Sequence, residues 1–515
     1  MRPMKNEPLK KTLALTGLRE SLPKILFFIA ASLAVSLSVL VDLSLQKLVG
    51  GSLIAFVMLF FLYRDIMRYK PLYITNYNML LLLVLMIVST LIIGRVFEYL
   101  LKNLSIGTGF LALDTVVFGI PIAAGAMLVT LLFDFHSAIT FSFTISLLTG
   151  YWLQDASYPI YTFAGSLTAA FSVIRCKRRS AILRGGFYVA LANILIALIL
   201  LLSRGDLFTE KAFSAMAFAV FAGITVSSIV SMILPLLEYL FKITTDISLL
   251  ELLDLNQPAM KALMVNAPGT YHHSVIVGNL VEAAAEEVGV NPLLGRVTAY
   301  YHDIGKVKMP EYFVENQSGS PSKHDKLTPH MSSMIITNHV KEGVELARQS
   351  KLPESIIDII KQHHGTSIIT YFYQKAREQD HDSSTVEEDY KYPGPKPQTR
   401  VAALVMMADA VEASSRVLTD PTPARISALV DKIINHIFLD GQLDECELTL
   451  KDISAIKKKF TYILTGIFHK RIDYPGFNFN NVHTHIEHPK NEKAGPAEDK
   501  KGFRQGIAAA RASDV

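Results

Sequence analysis

Up to about residue 241 the chain is a succession of long apolar runs broken by short polar stretches. Beyond it, apolar residues recur at helical spacing among charged ones. A bilayer core takes roughly 20 apolar residues per helix. By that measure the sequence predicts eight membrane spans, near 25–41, 48–63, 78–97, 112–133, 136–152, 157–174, 184–203 and 214–235. The first run, ILFFIAASLAVSLSVLV, follows Lys5, Lys10, Lys11, Arg19 and Lys24. No small-x-small cleavage site follows it and a second span begins almost at once, so it reads as an uncleaved anchor. Pro121 and Pro235 are placed to kink their helices.

The second half shows a different period. SVIVGNLVEAAAEEVGV (274–290) is an amphipathic helix closed by Gly289, and PLLGRVTAYYHDIGKV (292–307) is another with proline in its first turn. SSMIITNHVKEGVELARQ, PESIIDIIKQHHG and TRVAALVMMADAVEASSR (399–416) continue the helical pattern, and no run alternates with period two. Residues 376–398 read as a polar loop. The predicted fold class is all-α: a basic N-terminus over 1–23, a helical membrane domain over 24–241, an all-helical polar domain over 249–475 and a disordered tail over 476–515.

Charge sets the orientation. Arg64, Arg68 and Lys70 follow the second span and RCKRRS (175–180) follows the sixth, on the side of the basic N-terminus if eight spans alternate. By the positive-inside rule that side is cytoplasmic, and an even number of crossings returns the polar half to it. The expected location is therefore a membrane, crossed several times, with the polar half cytoplasmic and the lipid bilayer as a partner. A formal net charge of +4 over 515 residues gives no support for binding a nucleic acid polymer. The oligomeric state stays open, a homo-oligomer included. Cys176 and Cys446 are too few for a disulfide framework or a thiolate metal cluster. Asp114, Asp134, His136 and Asp155 lie near span ends, where ordinary interfacial pairing accounts for them.

Eleven of the fifteen histidines fall into two sets. His324–Asp325 and His381–Asp382 lie in polar stretches and read as solvated surface pairs, while His483, His485 and His488 lie in the tail. The others sit on separate helices or helix ends: His273 beside His272, the adjacent His302 and Asp303, His339, and the adjacent His363 and His364. Asp409 stands among Met, Ala and Val, where a lone carboxylate is costly to bury without a partner. Five helices can aim these groups into one cleft. Seven nitrogen and carboxylate donors exceed what one ion with open positions needs. They suit two divalent ions bridged by a carboxylate, with Fe, Mn or Co favoured over a structural zinc.

At these residues the chain resembles the HD metal-dependent phosphohydrolases, whose H…HD…D pattern is met by His273, His302–Asp303 and Asp409. More closely, NAPGTYHHS, YYHDIGKVKMPEYFVENQ, HDKLTPHMS, NHVKEG, KQHHGT and YPGPKPQTRVAALVMMADAVEASSR resemble the seven-transmembrane-HD family of bacterial membrane-anchored cyclic di-AMP phosphodiesterases. The resemblance selects His273 over His272. It implies one ion on His273, His302, Asp303 and Asp409, and a second on His339, His363 and His364, with Asp303 bridging. It implies Fe or Mn as cofactors and hydrolysis of cyclic di-AMP to linear 5′-pApA by a two-metal-activated hydroxide. Asp303 and Lys306 are the expected catalytic residues, Lys306 meeting a phosphate oxygen, whereas Lys308 reads as a surface charge. Family members usually carry a large extracellular domain after the first span; here only DLSLQKLVGG intervenes. Relatives that cleave cyclic di-GMP carry Gly-Tyr-Pro after the double histidine, and here the similar text is KYPGP (391–395). Cyclic di-GMP hydrolysis, a mononuclear nucleotidase or ppGpp hydrolase, and a membrane receptor that only binds nucleotide remain alternatives.

Overall fold

A computed structural model describes residues 7–40, 44–70, 77–317, 321–379 and 385–468, with side chains from residue 23. The described residues up to Gly466 form one compact unit; of the second unit, Ile467–Val515, only Ile467 and Phe468 are described. The fold is all-α. Among the described residues the only β pairing is an isolated bridge between Ile368 and Lys391.

The apolar half forms α1 (Glu7–Val39), α2 (Leu45–Tyr69), α3 (Tyr77–Thr108), a 3-10 segment Leu113–Gly119 leading to α4 (Ala123–Leu132), α5 (Phe135–Leu153), α6 (Tyr158–Ser172), α7 (Ser180–Arg204) and α8 (Glu210–Phe241). Leu45–Tyr69, Tyr77–Thr108, Leu113–Leu132, Ser180–Arg204 and Glu210–Phe241 are long and apolar enough to cross a membrane, which makes this a membrane protein. The expected spans 136–152 and 157–174 exist as helices α5 and α6 but fall short of that standard. α6 is short, and α5 is diluted by hydroxyls that bond back to their own helix, such as Ser142 to the Ala138 carbonyl and Ser146 to the Ser142 carbonyl. Two further expectations change. Pro121 does not kink a helix but lies in the break between the 3-10 segment and α4. α1 begins at Glu7, so the basic N-terminal stretch and the first apolar run share one helix.

α8 ends at Lys242 in the left-handed conformation, and Thr245 then caps α9 (Asp246–Leu252) by accepting from the Ser248 N–H. Arg179, in the basic loop before α7, grips Glu251 of α9 through two hydrogen bonds of 2.6 and 3.0 Å. The polar half continues with α10 (Pro258–Asn266), α11 (Pro268–Val288), α12 (Pro292–Tyr301), α13 (Pro329–Gln349), α14 (Glu354–Gln362), α15 (Thr370–Gln379), α16 (Arg400–Ser415), α17 (Pro423–Leu439) and α18 (Leu450–Ile467). α15 and a 3-10 turn at Glu387–Tyr390 occupy part of the stretch expected to be loop.

Two features position the site. Every residue of α16 from Val401 to Asp409 is buried, as befits a helix surrounded by others. Its interior polar groups, Asp409 and Glu412, therefore face protein. Gly305, in the 3-10 turn after α12, lies against α13 so closely that a Cβ there would collide with the His339 carbonyl oxygen. Only glycine lets the chain leaving α12 meet α13 at that distance.

Candidate metal centre

Each candidate donor is delivered by a helix end or a buried helix face. Asn291 accepts from the N–H groups of Leu293 and Leu294, and Pro292 starts α12. α12 stops at Tyr301, and the chain tightens into a 3-10 turn over Ile304–Lys308. His302 and Asp303 sit at this change of winding, both buried. Adjacent residues of a continuous helix diverge by about 100°; at a helix end inside a core, both still face protein. α11 brings His273, α13 brings His339, the end of α14 brings His363 and His364, and α16 brings Asp409. His272, next to the first of these, points outward and is exposed.

These donors form two groups that share one carboxylate. Donor atoms of His273, His302, Asp303 and Asp409 lie within 4.8 Å of one another, and so do those of Asp303, His339, His363 and His364. Asp303 divides its oxygens between them. Oδ2 stands 3.2 Å from His302 Nε2 and 3.8 Å from His273 Nε2. Oδ1 stands 3.3 Å from His339 Nε2 and 3.6 Å from His363 Nε2. Asp409 Oδ1 lies 2.9 Å from His273 Nε2, and its Oδ2 lies 3.6 Å from His364 Nδ1.

The imidazoles are oriented from behind. His302, His339 and His363 each donate Nδ1–H to the carbonyl three residues earlier, at 2.7, 2.6 and 2.8 Å. His273 Nδ1 lies 2.5 Å from Glu412 Oε2. With Nδ1 anchored in this way, the Nε2 atoms of these four rings face the centre, the orientation a metal ligand needs. His339 Nε2 and His363 Nε2 then confront each other at 3.3 Å. Two ligands of one ion at bond lengths of about 2.1 Å come about that close. The buried His302 Nε2 and both Asp303 oxygens converge in one pocket, with the Lys306 ammonium 2.7 Å from Oδ2. Two carboxylates and five imidazoles converging in a buried pocket suit a site where cations lie between them. The donors are nitrogen and carboxylate oxygen, and both cysteines lie elsewhere. The residues thus fit divalent metal binding.

The two groups differ electrostatically. Burial opposes a charged His302, but the Asp303 carboxylate beside it prevails and pushes its pKa up to about 10. Burial dominates at His339 and pushes it down to about 3, against the pull of Asp303. Burial would raise the Asp303 carboxyl; His302 and Lys306 outweigh it and hold Asp303 well below the usual carboxylate range. The His302 side attracts positive charge, while the His339 side offers neutral imidazole.

Lys306 is nearly enclosed. Its Nζ lies 2.7 Å from Asp303 Oδ2 and donates to Glu315 Oε1 at 3.0 Å, 5.0 Å from the centre of the Phe313 ring. Glu315 also accepts from the Thr270 hydroxyl, and Asn316 binds both the Thr270 N–H and its hydroxyl. This network ties the start of α11, which carries His273, to the segment that follows Lys306. Gly269 permits the contact, because a Cβ there would strike the Glu315 carbonyl. Lys308 is exposed.

One expectation is overturned. His324 is buried rather than solvated: Nε2 bonds the Tyr312 carbonyl at 2.9 Å, and the ring packs between Tyr312 and Phe372. Its polar sequence neighbours concealed this tertiary contact. His381–Asp382, His483, His485, His488 and the expected start of the tail lie outside the described residues. Sequence reasoning missed Glu412, although it stands three residues after Asp409 and hence on the same helix face. It also missed Tyr392, whose ring stacks on His364 with centroids 4.2 Å apart.

Residues 45–245 match the family described as "7TM receptor with intracellular HD hydrolase", and residues 270–414 match the HD domain. The chain is 40% identical over 364 residues to the cyclic-di-AMP phosphodiesterase PgpH of Bacillus subtilis (strain 168), covering 69% of this chain and 51% of that protein. It is 42% identical over 368 residues to the PgpH of Listeria monocytogenes serotype 1/2a (strain 10403S), covering 70% and 50%. The chain thus spans about half the length of these curated relatives. Among solved structures, the L. monocytogenes PgpH HD domain, also determined with cyclic di-AMP, aligns at 48% identity with a TM-score of 0.40, covering 42% of this chain and all of that one.

Since Asp303 presents one oxygen to each donor group, Asp303→Ala is expected to strip metal from both, whereas His339→Ala strips it mainly from one. Elemental analysis of the purified full-length variants checks this. Equal metal content in the two variants would contradict the sharing of Asp303.

Proposed function

We propose that the chain, whose residues 45–245 match the family of seven-transmembrane receptors with an intracellular HD hydrolase and whose residues 270–414 match the HD domain, is a membrane-bound phosphodiesterase converting cyclic di-AMP to linear 5′-pApA. The observation that carries this reading is the pair of donor groups sharing Asp303, one carboxylate oxygen facing each. His273, His302, Asp303 and Asp409 would hold one divalent ion, and His339, His363 and His364 the other, with Asp303 between them. Fe or Mn suits this set of imidazoles and carboxylates. Two such ions would supply a water acidified towards neutral pH and charge neutralisation at the attacking and leaving oxygens. Both curated relatives above are named for activity on cyclic di-AMP.

The chain's own residues do the rest. The Nδ1 anchors fix four of the five imidazoles before substrate arrives, so little reorganisation is left to the reaction. Asp303 presents one carboxylate oxygen to each donor group. Lys306 is held by Asp303 and Glu315 at the edge of the pocket, where its ammonium can face a phosphoryl oxygen of the substrate and offset charge as the P–O bond to the 3′ oxygen breaks. Burial would lower its pKa, but Asp303 and Glu315 keep it raised and hence cationic. The plane of Tyr392 keeps His364 turned towards the centre.

The substrate test uses the full chain in detergent with Mn²⁺ or anaerobic Fe²⁺, offered cyclic di-AMP, cyclic di-GMP and ppGpp separately. Cyclic di-AMP is expected to be turned over fastest, yielding pApA, and Lys306→Met is expected to lower kcat by about 10²–10³-fold with metal content unchanged. Preference for another nucleotide would replace the substrate assignment. Near wild-type kcat in Lys306→Met would remove the lysine from the chemistry.

We also place the HD part in the cytoplasm, on the side of the basic loop 175–180. Topology reporters fused near residues 178 and 250 are expected to report the inside and one near residue 155 the outside. An outside signal at residue 250 would contradict the orientation.

A further inference from the structure

The two donor groups are supported differently. Behind His302, His339 and His363 stand backbone carbonyls of their own helices, those of Ala299, Ile336 and Ile360. Behind His273 stands a side-chain carboxylate from another helix. Glu412 of α16 is 2% exposed; its Oε2 meets His273 Nδ1 at 2.5 Å, while Oε1 accepts from Arg416 Nε at 2.8 Å and lies 2.7 Å from Arg416 Nη2. Asp409 projects from the same helix one turn earlier and lies 2.9 Å from His273 Nε2. Glu412 therefore holds the back of the His273 ring while Asp409 meets its front, which sets the register of α11 against α16 at the centre. A carboxylate accepting from Nδ1–H also makes Nε2 a stronger donor than a carbonyl does. The ligand charges differ in the same sense. The His273 group has two carboxylates, Asp303 and Asp409, and the His339 group has only the shared Asp303.

We propose that Glu412 is a positioning residue that makes the His273–His302–Asp303–Asp409 group the tighter of the two metal sites, so that this group fills first and the His339–His363–His364 group fills second. The proposal rests on the two-metal reading above. Arg416 serves it by fixing the Glu412 carboxylate, leaving one oxygen for the imidazole. The second site is then the exchangeable one, and its occupancy decides whether a chain carrying one ion becomes active.

The test is Mn²⁺ titration of the metal-free full-length protein in detergent, read by free-ion EPR and elemental analysis. The wild type is expected to bind one ion tightly and a second more weakly. In a His339→Ala chain, where the His273 group alone is complete, adding Glu412→Gln is expected to weaken Mn²⁺ binding about 10–100-fold. In a His273→Ala chain, the same change is expected to alter binding less than about twofold, since the cycle isolates the coupling of Glu412 to His273. Glu412→Asp keeps the charge but falls one methylene short of Nδ1. It is expected to behave like Glu412→Gln and serves in its place if the amide variant does not fold. Equal weakening in both backgrounds, or none in His339→Ala, would overturn the proposal and leave the two-metal reading intact. A wild type binding a single ion would overturn both.

Discussion

A carboxylate buried among imidazoles, with a single lysine ammonium beside one oxygen, is the feature on which the polar half depends. Asp303 is 1% exposed, and its two oxygens face different histidine pairs. Such a group is costly to bury unless positive charge surrounds it. The fold brings donors that could hold such charge from five directions. α12 has to stop at Tyr301 so that Asp303 can turn inward, Gly305 has to be bare so that α13 can approach, and α14 has to end where two histidines reach the same pocket. α16 has to be buried all round to carry Asp409 and Glu412 into the centre. Lys306 adds a fixed cation, and Glu315 with Asn316 secures it to the first turn of α11.

The membrane half meets this assembly through a short connection. α8 passes through Lys242 and the Thr245 cap straight into α9, whose Leu249 belongs to the same apolar cluster as Val297, Tyr301 and Ile304. That cluster is the floor under His302 and Asp303. The Arg179–Glu251 pair adds a second tie, from the basic loop to α9. Both of its partners are substantially exposed, so its geometry matters more than its energy. The seven helices from α2 to α8 occupy the stretch that matches the seven-transmembrane family, with the 3-10 segment and α4 together forming one of them.

Much of this was legible in the sequence. The change of hydrophobic period near residue 241 marks the two halves, and the helices next to His302 and around Asp409 follow from apolar spacing, whereas the helix expected from residue 274 starts at Pro268 and takes in His273. Convergence of the histidines could be argued because each lies on a separate helix, where a buried imidazole or carboxylate needs a partner. What stayed hidden depends on contacts between distant segments. His324 looks solvated until Tyr312 and Phe372 enclose it. Glu412 looks like one charge among several until α11 brings His273 against it. Lys306 was read for its reach towards substrate, whereas its place is set by Glu315, nine residues on and across a turn. α5 and α6 show the limit of apolar counting: helical in both readings, they are diluted by hydroxyls or too short to meet the standard of a span.

The most direct measurement of the central claim, that Asp303 joins two metal sites, is a crystal structure of the Mn²⁺-loaded protein with anomalous scattering data at the manganese edge. Two anomalous peaks are predicted, one on the Oδ2 side of Asp303 among His273, His302 and Asp409, the other on the Oδ1 side among His339, His363 and His364. A single peak, or two peaks of which one makes no contact with Asp303, would contradict it.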